Sequence, residues 1–199
     1  PISHPSRIKR NASAQAGDVL VLGKPLGVGI LSAALKKEQL SAEGYAQMIA
    51  TTTRLNTPGP ELAAMADVHA MTDVTGFGLA GHTLELARGS GLDVHIAWPR
   101  VPLLDGVRAL AEQGHITGAS ARNWSGYGAD VTLPAAGFDA IDQALLSDPQ
   151  TSGGLLVSCA PGAVQAVMDV FAKHGFAQAA VVGEVAAKAG DRAGLFVSN

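Results

Sequence analysis

The chain has 199 residues, of which 47% are hydrophobic and 16% are charged, and its formal net charge is −3. This length and composition are typical of one sizeable globular domain. The near balance of acidic and basic residues argues against a nucleic-acid partner, and no apolar run approaches the ~20 residues of a membrane span.

The beginning of the chain predicts a connecting segment. Residues 1–17 are polar and contain Pro, Ser and Asn, which is typical of a linker, and residues 18–199 follow as the predicted domain. The opening Pro-Ile-Ser-His-Pro has no Met and does not resemble a signal peptide, so we expect a fragment of a longer protein. The single Cys159 argues against an internal disulfide and indicates a reducing compartment, for which we expect the cytoplasm.

Strands and helices mix along the chain without a fixed repeat. Ser41 is the expected N-cap of the second helix, and the prolines within 56–60 argue against helix there. Because β and α elements do not alternate strictly, we predict an α+β fold with a mixed β-sheet layered with α-helices; the last two strands are candidates for antiparallel pairing. Apolar runs predict strands at 18–22, 68–71, 92–98, 155–159, 179–185 and 195–198, and helical patterns predict helices at 30–37, 41–55, 61–67, 77–88, 103–113, 138–146 and 161–175, with a short helical or irregular piece at 118–127.

The most informative feature is an acid at a strand end, followed by glycines at a helix start. Asp73 follows the strand at 68–71, and Thr75, Gly76 and Gly78 lead into the next helix. A carboxylate offers oxygen to a hard cation such as Mg²⁺, and exposed backbone N–H groups at a helix start suit phosphate oxygens. We therefore predict Asp73 as a metal ligand, and Thr75, Gly76 and Gly78 as contacts to a metal-bridged phosphate.

The same segment also matches the dinucleotide fingerprint G-x-G-x-x-G, from Gly76 to Gly81. That interpretation needs an acid at the end of the second strand, about 20 residues on, whereas Asp93 lies at the start of its strand. Asp73 would also repel a pyrophosphate unless a cation lay between them. A tight turn with close helix packing is the alternative without a ligand, and it leaves the acid unexplained. His82, on the following helix, is expected to be structural.

Two further stretches have the chemistry of an anion site, and we expect them to line the same site. Residues 23–29 place a lysine beside a glycine-containing turn that opens a helix, although the P-loop order is missing. Residues 147–154, Ser-Asp-Pro-Gln-Thr-Ser-Gly-Gly, combine an acid, hydroxyls and a glycine pair; hydroxyls and exposed amides form anion nests. The alternatives are a solvated lysine and a plain turn. The predicted ligand contacts are Lys24, Thr151, Ser152, Gly153 and Gly154.

Together these strings resemble selenophosphate synthetase, the selenide, water dikinase family. They are Asp18-Val-Leu-Val-Leu-Gly-Lys-Pro-Leu-Gly-Val-Gly29, Thr72-Asp-Val-Thr-Gly-Phe-Gly-Leu-Ala-Gly-His82 and Leu146-Ser-Asp-Pro-Gln-Thr-Ser-Gly-Gly-Leu155, in the family's order and spacing. His4-Pro-Ser-Arg7 with Arg10-Asn11, and Arg122-Asn123 with Tyr127-Gly128, fit the same pattern. The resemblance covers nearly the whole chain, but it matches only the C-terminal half of the family.

The resemblance implies an enzyme that converts selenide, ATP and water to selenophosphate, AMP and orthophosphate, with Mg²⁺ and as a homodimer. It implies that the nucleophile is carried by a missing N-terminal domain, so that no catalytic residue is assigned here and the fragment alone lacks turnover. The superfamily includes aminoimidazole ribonucleotide synthetase and a hydrogenase-maturation protein, which implies a partial ferredoxin-like topology. Asp73 matches the acid that helps to hold Mg²⁺ and the ATP phosphates.

Two departures from the family pattern are Gly23 in place of the usual Thr, and the proline-rich residues 56–60 in a segment that is usually helical. Neither departure alters Asp73. A non-catalytic module that binds a nucleotide or regulates a partner, and a sister ATP-dependent enzyme of the same superfamily, are the alternative functions.

Overall fold

The computed structural model describes residues 8–199. The strands are β1 (Val19–Leu22), β2 (Val68–Asp73), β3 (Asp93–Ala97), β4 (Val131–Thr132), β5 (Leu155–Cys159), β6 (Ala180–Ala186) and β7 (Leu195–Ser198). The helices are α1 (Val28–Lys36), α2 (Ala42–Thr53), α3 (Gly59–Ala64), α4 (Gly78–Ser90), α5 (Val107–Glu112), α6 (Gly118–Tyr127), α7 (Ala140–Leu146) and α8 (Val164–Lys173). Every strand predicted from the sequence is present; β4 is an addition too short to leave a periodic signal.

All the named strands form one mixed sheet, in the order β2-β5-β1-β6-β3-β7-β4. The pairs from β2 to β3 are antiparallel, whereas β7 pairs in parallel with both β3 and β4. The predicted α+β class with a mixed sheet is confirmed. The expected pairing of the last two strands is wrong, because β6 and β7 lie on opposite sides of β3.

Buried Asp93 gives the physical reason for that separation. Its carboxylate accepts hydrogen bonds from the backbone N–H groups of Ala189 at 2.8 Å and Gly194 at 3.0 Å. These bonds hold the connection after β6 against the start of β3, so that β7 enters the sheet on the far side of β3.

Helices cover both faces of the sheet, and the side chains of the central strands alternate between them. Leu20 and Leu156 belong to the larger core, which also contains residues of α1, α4 and α7. Val21 and Val157 point into the smaller core, where Phe171 of α8 is fully buried. β1 and β5 are therefore buried on both faces, and this packing fixes the positions at which the loops at their ends begin.

Several helix boundaries differ from the prediction by a few residues, and two of these differences have identifiable reasons. α5 begins at Val107 and not at Leu103. Leu103 forms an isolated parallel β-bridge with Leu26, so the backbone before Val107 is extended and pairs with another segment. α3 begins at Gly59, inside the segment predicted to be free of helix. Prolines are tolerated in a first helical turn, where the backbone N–H has no intrahelical partner.

The described part of the predicted linker, residues 8–17, lies against the domain. Met71 donates a backbone hydrogen bond to the Arg10 carbonyl at 3.3 Å, and Gly17 donates one to Val185 at 2.7 Å. The motif residues at 4–7 lie outside the described residues, and the connection to another domain stays a prediction. No helix within residues 8–199 has the length and apolar character needed to cross a membrane.

Candidate phosphate and metal site

The loop after β2 and the loop before β5 lie side by side. Val74 donates a backbone hydrogen bond to Gly154 at 2.9 Å, and Gln150 donates one to the carbonyl of Thr75 at 3.0 Å. β2 and β5 are antiparallel neighbours, so the end of one meets the start of the other. The structure thus brings together the two segments in which most of the predicted ligand contacts lie.

The start of α1 is capped by residues of the second loop. Asp148 Oδ2 accepts from the backbone N–H of Gly29 at 3.0 Å, and Gln150 Oε1 accepts from Gly27 and Val28, each at 3.2 Å. These N–H groups at the helix N-terminus would otherwise be free for an anion. The acid and the amide of the Asp-Pro-Gln string therefore have a structural role, which the sequence interpretation did not include.

Asp148 is fully buried, and burial raises the pKa of its carboxyl to about 7. Hydrogen bonds from Gln150, Ile30 and Gly29 act in the opposite direction. Its Oδ1 has no hydrogen-bond partner within the described chain. This carboxyl is thus held at the α1 terminus against a considerable cost of removing its charge from water.

Lys24 is also buried, and its ammonium donates to three backbone carbonyls. The distances from Nζ are 2.6 Å to Ser152 O, 2.7 Å to Arg54 O and 3.2 Å to Thr51 O. An ammonium has three donors, and all of them are used. The phosphate contact predicted for Lys24 stays a prediction, and it would require one of these bonds to be given up.

The glycine pair of the second loop is required by close backbone approach. A Cβ at Gly153 would overlap the Val74 carbonyl oxygen, and one at Gly154 would overlap the backbone nitrogen of Lys24. Thr151 and Ser152, by contrast, are exposed. Ser152 has a φ of 49°, a left-handed conformation that is uncommon for a residue other than glycine. Close packing explains the glycines, and the two hydroxyls are the part of this loop that is open to a ligand.

The predicted metal ligand lies at the exposed end of β2. Asp73 is the last residue of the strand, and no described residue donates a hydrogen bond to its carboxylate. Gly76 is exposed with open space on its Cβ side, whereas Gly78 has a φ of 70° and lies against the backbone of Ser147. α4 then begins without a side-chain cap from any described residue. Unlike the start of α1, the start of α4 is left without an internal anion.

Two side chains to which the sequence interpretation assigned no role support this loop. Asn123 Nδ2 donates to the carbonyls of Gly76 at 2.8 Å and Ser147 at 3.2 Å, and Tyr127 Oη donates to Phe77 at 2.7 Å. Burial raises the pKa of the Tyr127 phenol. The only sequence signal for these residues was the family string at 122–128. They line a groove of about 290 Å³ between α4 and α6.

His82 contacts the loop as well, with Nε2 at 3.1 Å from Thr75 Oγ1. It was expected to be structural. The contact places it one hydrogen bond from a predicted ligand residue.

The oxygen donors present suit only part of a metal shell. Among residues 8–199 there is no group of three or more His, Cys, Asp or Glu side chains placed to hold a metal ion. Mg²⁺ is commonly held by one or two carboxylates together with waters and substrate phosphates. Asp73 fits that pattern as a single ligand, and the rest of the shell would come from phosphate, water and residues outside those described.

Comparison with known proteins gives a consistent family. Residues 15–195 match the model of the AIR synthase related protein, C-terminal domain. The chain is 64% identical over 92% of its length to a selenide, water dikinase of Burkholderia pseudomallei, covering 52% of that protein, and 60% identical over 94% of its length to one of Pseudomonas straminea, again covering 52%. The chain thus spans about half the length of the curated relatives it matches.

Solved structures show the same fold at low sequence identity. A hydrogenase maturation protein in complex with ATP has a TM-score of 0.65 and 20% identity, with 95% of this chain and 49% of that chain covered. A thiamine-monophosphate kinase from Stenotrophomonas maltophilia has a TM-score of 0.67 and 17% identity, with 98% and 54% covered. The chain belongs to the AIR synthase related protein family, as its C-terminal domain.

Proposed function

We propose that this chain is the C-terminal domain of an ATP-dependent selenide, water dikinase, and that the segment from Asp73 to Gly78 helps to hold the phosphates of Mg-ATP. The curated relatives at 60–64% identity carry that name, and one structure of the same fold is a complex with ATP. The observation that carries the proposal is the exposed carboxylate of Asp73 beside the uncapped start of α4.

Each part of the segment has a physical task. Asp73 supplies one hard oxygen ligand to Mg²⁺, and the first turn of α4 directs the positive end of its helix dipole toward phosphate oxygens. The open side of Gly76 lets a phosphate approach the backbone closely. Thr151 and Ser152 offer hydroxyls from the neighbouring loop. When bound, the metal would neutralise phosphate charge.

The task of the domain is therefore positioning and electrostatic stabilisation, which dominate phosphoryl transfer. Selenide, ATP and water would be converted to selenophosphate, AMP and orthophosphate in the complete protein. We infer that a second half, of about the same length, carries the nucleophile and completes the metal shell, because the relatives are about twice as long as this chain. We further propose a cytoplasmic homodimer, for which the family resemblance and the single buried Cys159 are the support.

The experiment is a calorimetric titration of Mg-ATP into the complete protein, as wild type and as Asp73→Asn. We expect affinity to fall about tenfold or more, since the variant loses one charged ligand, equivalent to ~1.4 kcal/mol or more. Asp67→Asn is the matched control, because Asp67 is an exposed acid just before the opposite end of β2. Equal affinity of all three proteins would reject the metal assignment.

A second measurement tests the division into two halves. The isolated chain should not consume ATP in the presence of selenide, whereas the complete protein should. Robust turnover by residues 1–199 alone would contradict the proposal.

A further inference from the structure

A cavity of about 420 Å³ lies between the end of α2, the turn after β1 and the loop after α8. Lys24 lines it from the turn, Thr51 and Arg54 line it from the end of α2, and residues 175–178 close the opposite side. No residue of 73–78 or of the loop before β5 lines it. The cavity is therefore separate from the proposed Mg-ATP site, and its volume is that of a small-molecule site.

The charge in this cavity has one sign. Lys24 and Arg54 are the charged residues of its lining, and no Asp or Glu lines it. Within residues 8–199 neither cation forms a salt bridge with a carboxylate. The three carbonyls that accept from the Lys24 ammonium are dipoles without net charge. Two neighbouring positive charges are thus left without a counter-charge from the described chain.

The guanidinium of Arg54 is held in place and keeps most of its donors. It donates to the carbonyl of Gly175 and lies over the ring of Phe176, 5.4 Å from the ring centroid. A guanidinium has five N–H donors in a fixed plane, so four remain for a ligand. Thr51 and Gln178 add a hydroxyl and a side-chain amide to the lining, and Pro25, Ala50 and Leu104 add an apolar wall.

We propose that this cavity is a second anion site, in which Arg54 binds the phosphate group of a small phosphomonoester and Lys24 supplies positive charge. Guanidinium groups bind phosphate through paired hydrogen bonds. Lys24 acts through its charge at short range and keeps its three bonds to carbonyls, which gives it a task other than the predicted contact with ATP phosphates. Because the cavity is larger than a phosphate group and has an apolar wall, we expect a phosphomonoester to bind more tightly than orthophosphate.

The first test is calorimetry on the complete protein, with a chelator present so that no metal ion contributes. Ribose 5-phosphate, orthophosphate and neutral ribose are titrated into wild type, Arg54→Gln and Arg54→Lys. We expect the two phosphates to bind and ribose not to bind. Arg54→Gln should lose about tenfold in affinity, as for a hydrogen bond between charged groups, and Arg54→Lys should lose less. Equal affinity of wild type and Arg54→Gln, or no binding of either phosphate, would overturn the inference.

Two further variants separate this cavity from the site at Asp73. Asp73→Asn should bind ribose 5-phosphate at least as tightly as wild type, because Asp73 does not line the cavity. Arg100→Gln is the matched control, since Arg100 is an exposed arginine that does not line it either, and it should match wild type. Equal losses in Asp73→Asn and Arg54→Gln would place the phosphomonoester in the Mg-ATP site and overturn the inference.

The last test locates the ligand by the signal of Lys24. Lysine side chains of the complete protein are labelled with ¹³C, and the Lys24 signal is assigned by its loss in Lys24→Arg. Ribose 5-phosphate should shift this signal in a saturable way in wild type and leave it in place in Arg54→Gln. Arg54→Gln keeps the backbone carbonyl that accepts from Lys24, so its spectrum without ligand shows whether the fold is intact. A Lys24 signal that stays fixed while the ligand binds wild type would overturn the inference, and the Asp73 assignment would still depend on the Mg-ATP titration alone.

Discussion

Lys24 donates a hydrogen bond from Nζ to the carbonyl oxygen of Ser152 at 2.6 Å, and this contact joins the turn after β1 to the loop before β5. The same ammonium reaches the carbonyls of Thr51 and Arg54, at and just after the end of α2. Three separate segments are held by one buried cation. Burial, with a smaller contribution from Arg54, lowers the pKa of this lysine.

Replacing Lys24 by methionine should destabilise the domain by about 3 kcal/mol, because three carbonyls lose a donor and each costs roughly 1 kcal/mol or more when left unpaired. Urea denaturation followed by circular dichroism measures the change. Lys36→Met is the control, since Lys36 is exposed at the end of α1, and it should change stability by less than about 0.5 kcal/mol. Equal stability of the two variants would show that the three hydrogen bonds of Lys24 do not stabilise the domain.

The buried carboxyl of Asp148 should give the stability a distinct dependence on pH. Its pKa is raised by burial to about 7 in the folded protein, from 3.8 for the ordinary group. Between these values the folded state binds more protons than the unfolded state, so this group contributes stability at low pH that is lost as pH rises through about 7.

Asp148→Asn removes that titration and leaves an acceptor for the N–H groups of α1. The free energy of unfolding of the variant, relative to wild type, should therefore rise between about pH 4 and pH 8, by up to roughly 4 kcal/mol. Unfolding curves collected across this range measure the difference. Asp67→Asn, at an exposed position, should follow the wild-type profile. Parallel profiles for Asp148→Asn and wild type would show that the carboxyl stays ionised.

Two glycines near the site should respond in opposite ways to alanine. Gly153→Ala places a methyl group on the Val74 carbonyl and should cost at least ~3 kcal/mol or prevent folding. Gly76→Ala meets nothing within 4 Å and should change stability by less than about 0.5 kcal/mol. Thermal unfolding compares them. A loss of Mg-ATP affinity in the stable Gly76→Ala protein would support close approach of a phosphate, whereas a large loss of stability there would contradict the open geometry.

Asn123 should stabilise the site loop through its two hydrogen bonds. Asn123→Ala leaves the carbonyls of Gly76 and Ser147 without this donor, and we expect a loss of about 1–2 kcal/mol. Hydrogen exchange at the Gly78 amide, which is bonded to Thr75, should become faster. Ser125→Ala, an exposed change on the same helix, is the control. Unchanged exchange at Gly78 would show that the loop is held by other contacts.

Much of the fold was predictable because it follows from local patterns. Ser41 caps α2 as expected, with its hydroxyl accepting from Gly44 at 3.1 Å, since an N-cap depends only on neighbouring residues. The alternation of β3 placed Val94 and Ile96 in the core and His95 toward the opposite face. The adjacency of the site loops was also anticipated, but only as a hypothesis from their shared chemistry.

The sequence by itself determined the strands, most helices, the α+β class and the position of Asp73 at a strand end, because these depend on residues within a few positions of one another. Only the tertiary structure decided what the charged and polar side chains do. Lys24 and Ser152 are 128 residues apart, and Gly29 and Asp148 are 119 apart. The antiparallel pairing of β1 and β2 with β5 brings these groups together. Burial then requires these groups to have hydrogen-bond partners, because a charge without partners in the interior raises the free energy of the folded state by several kcal/mol.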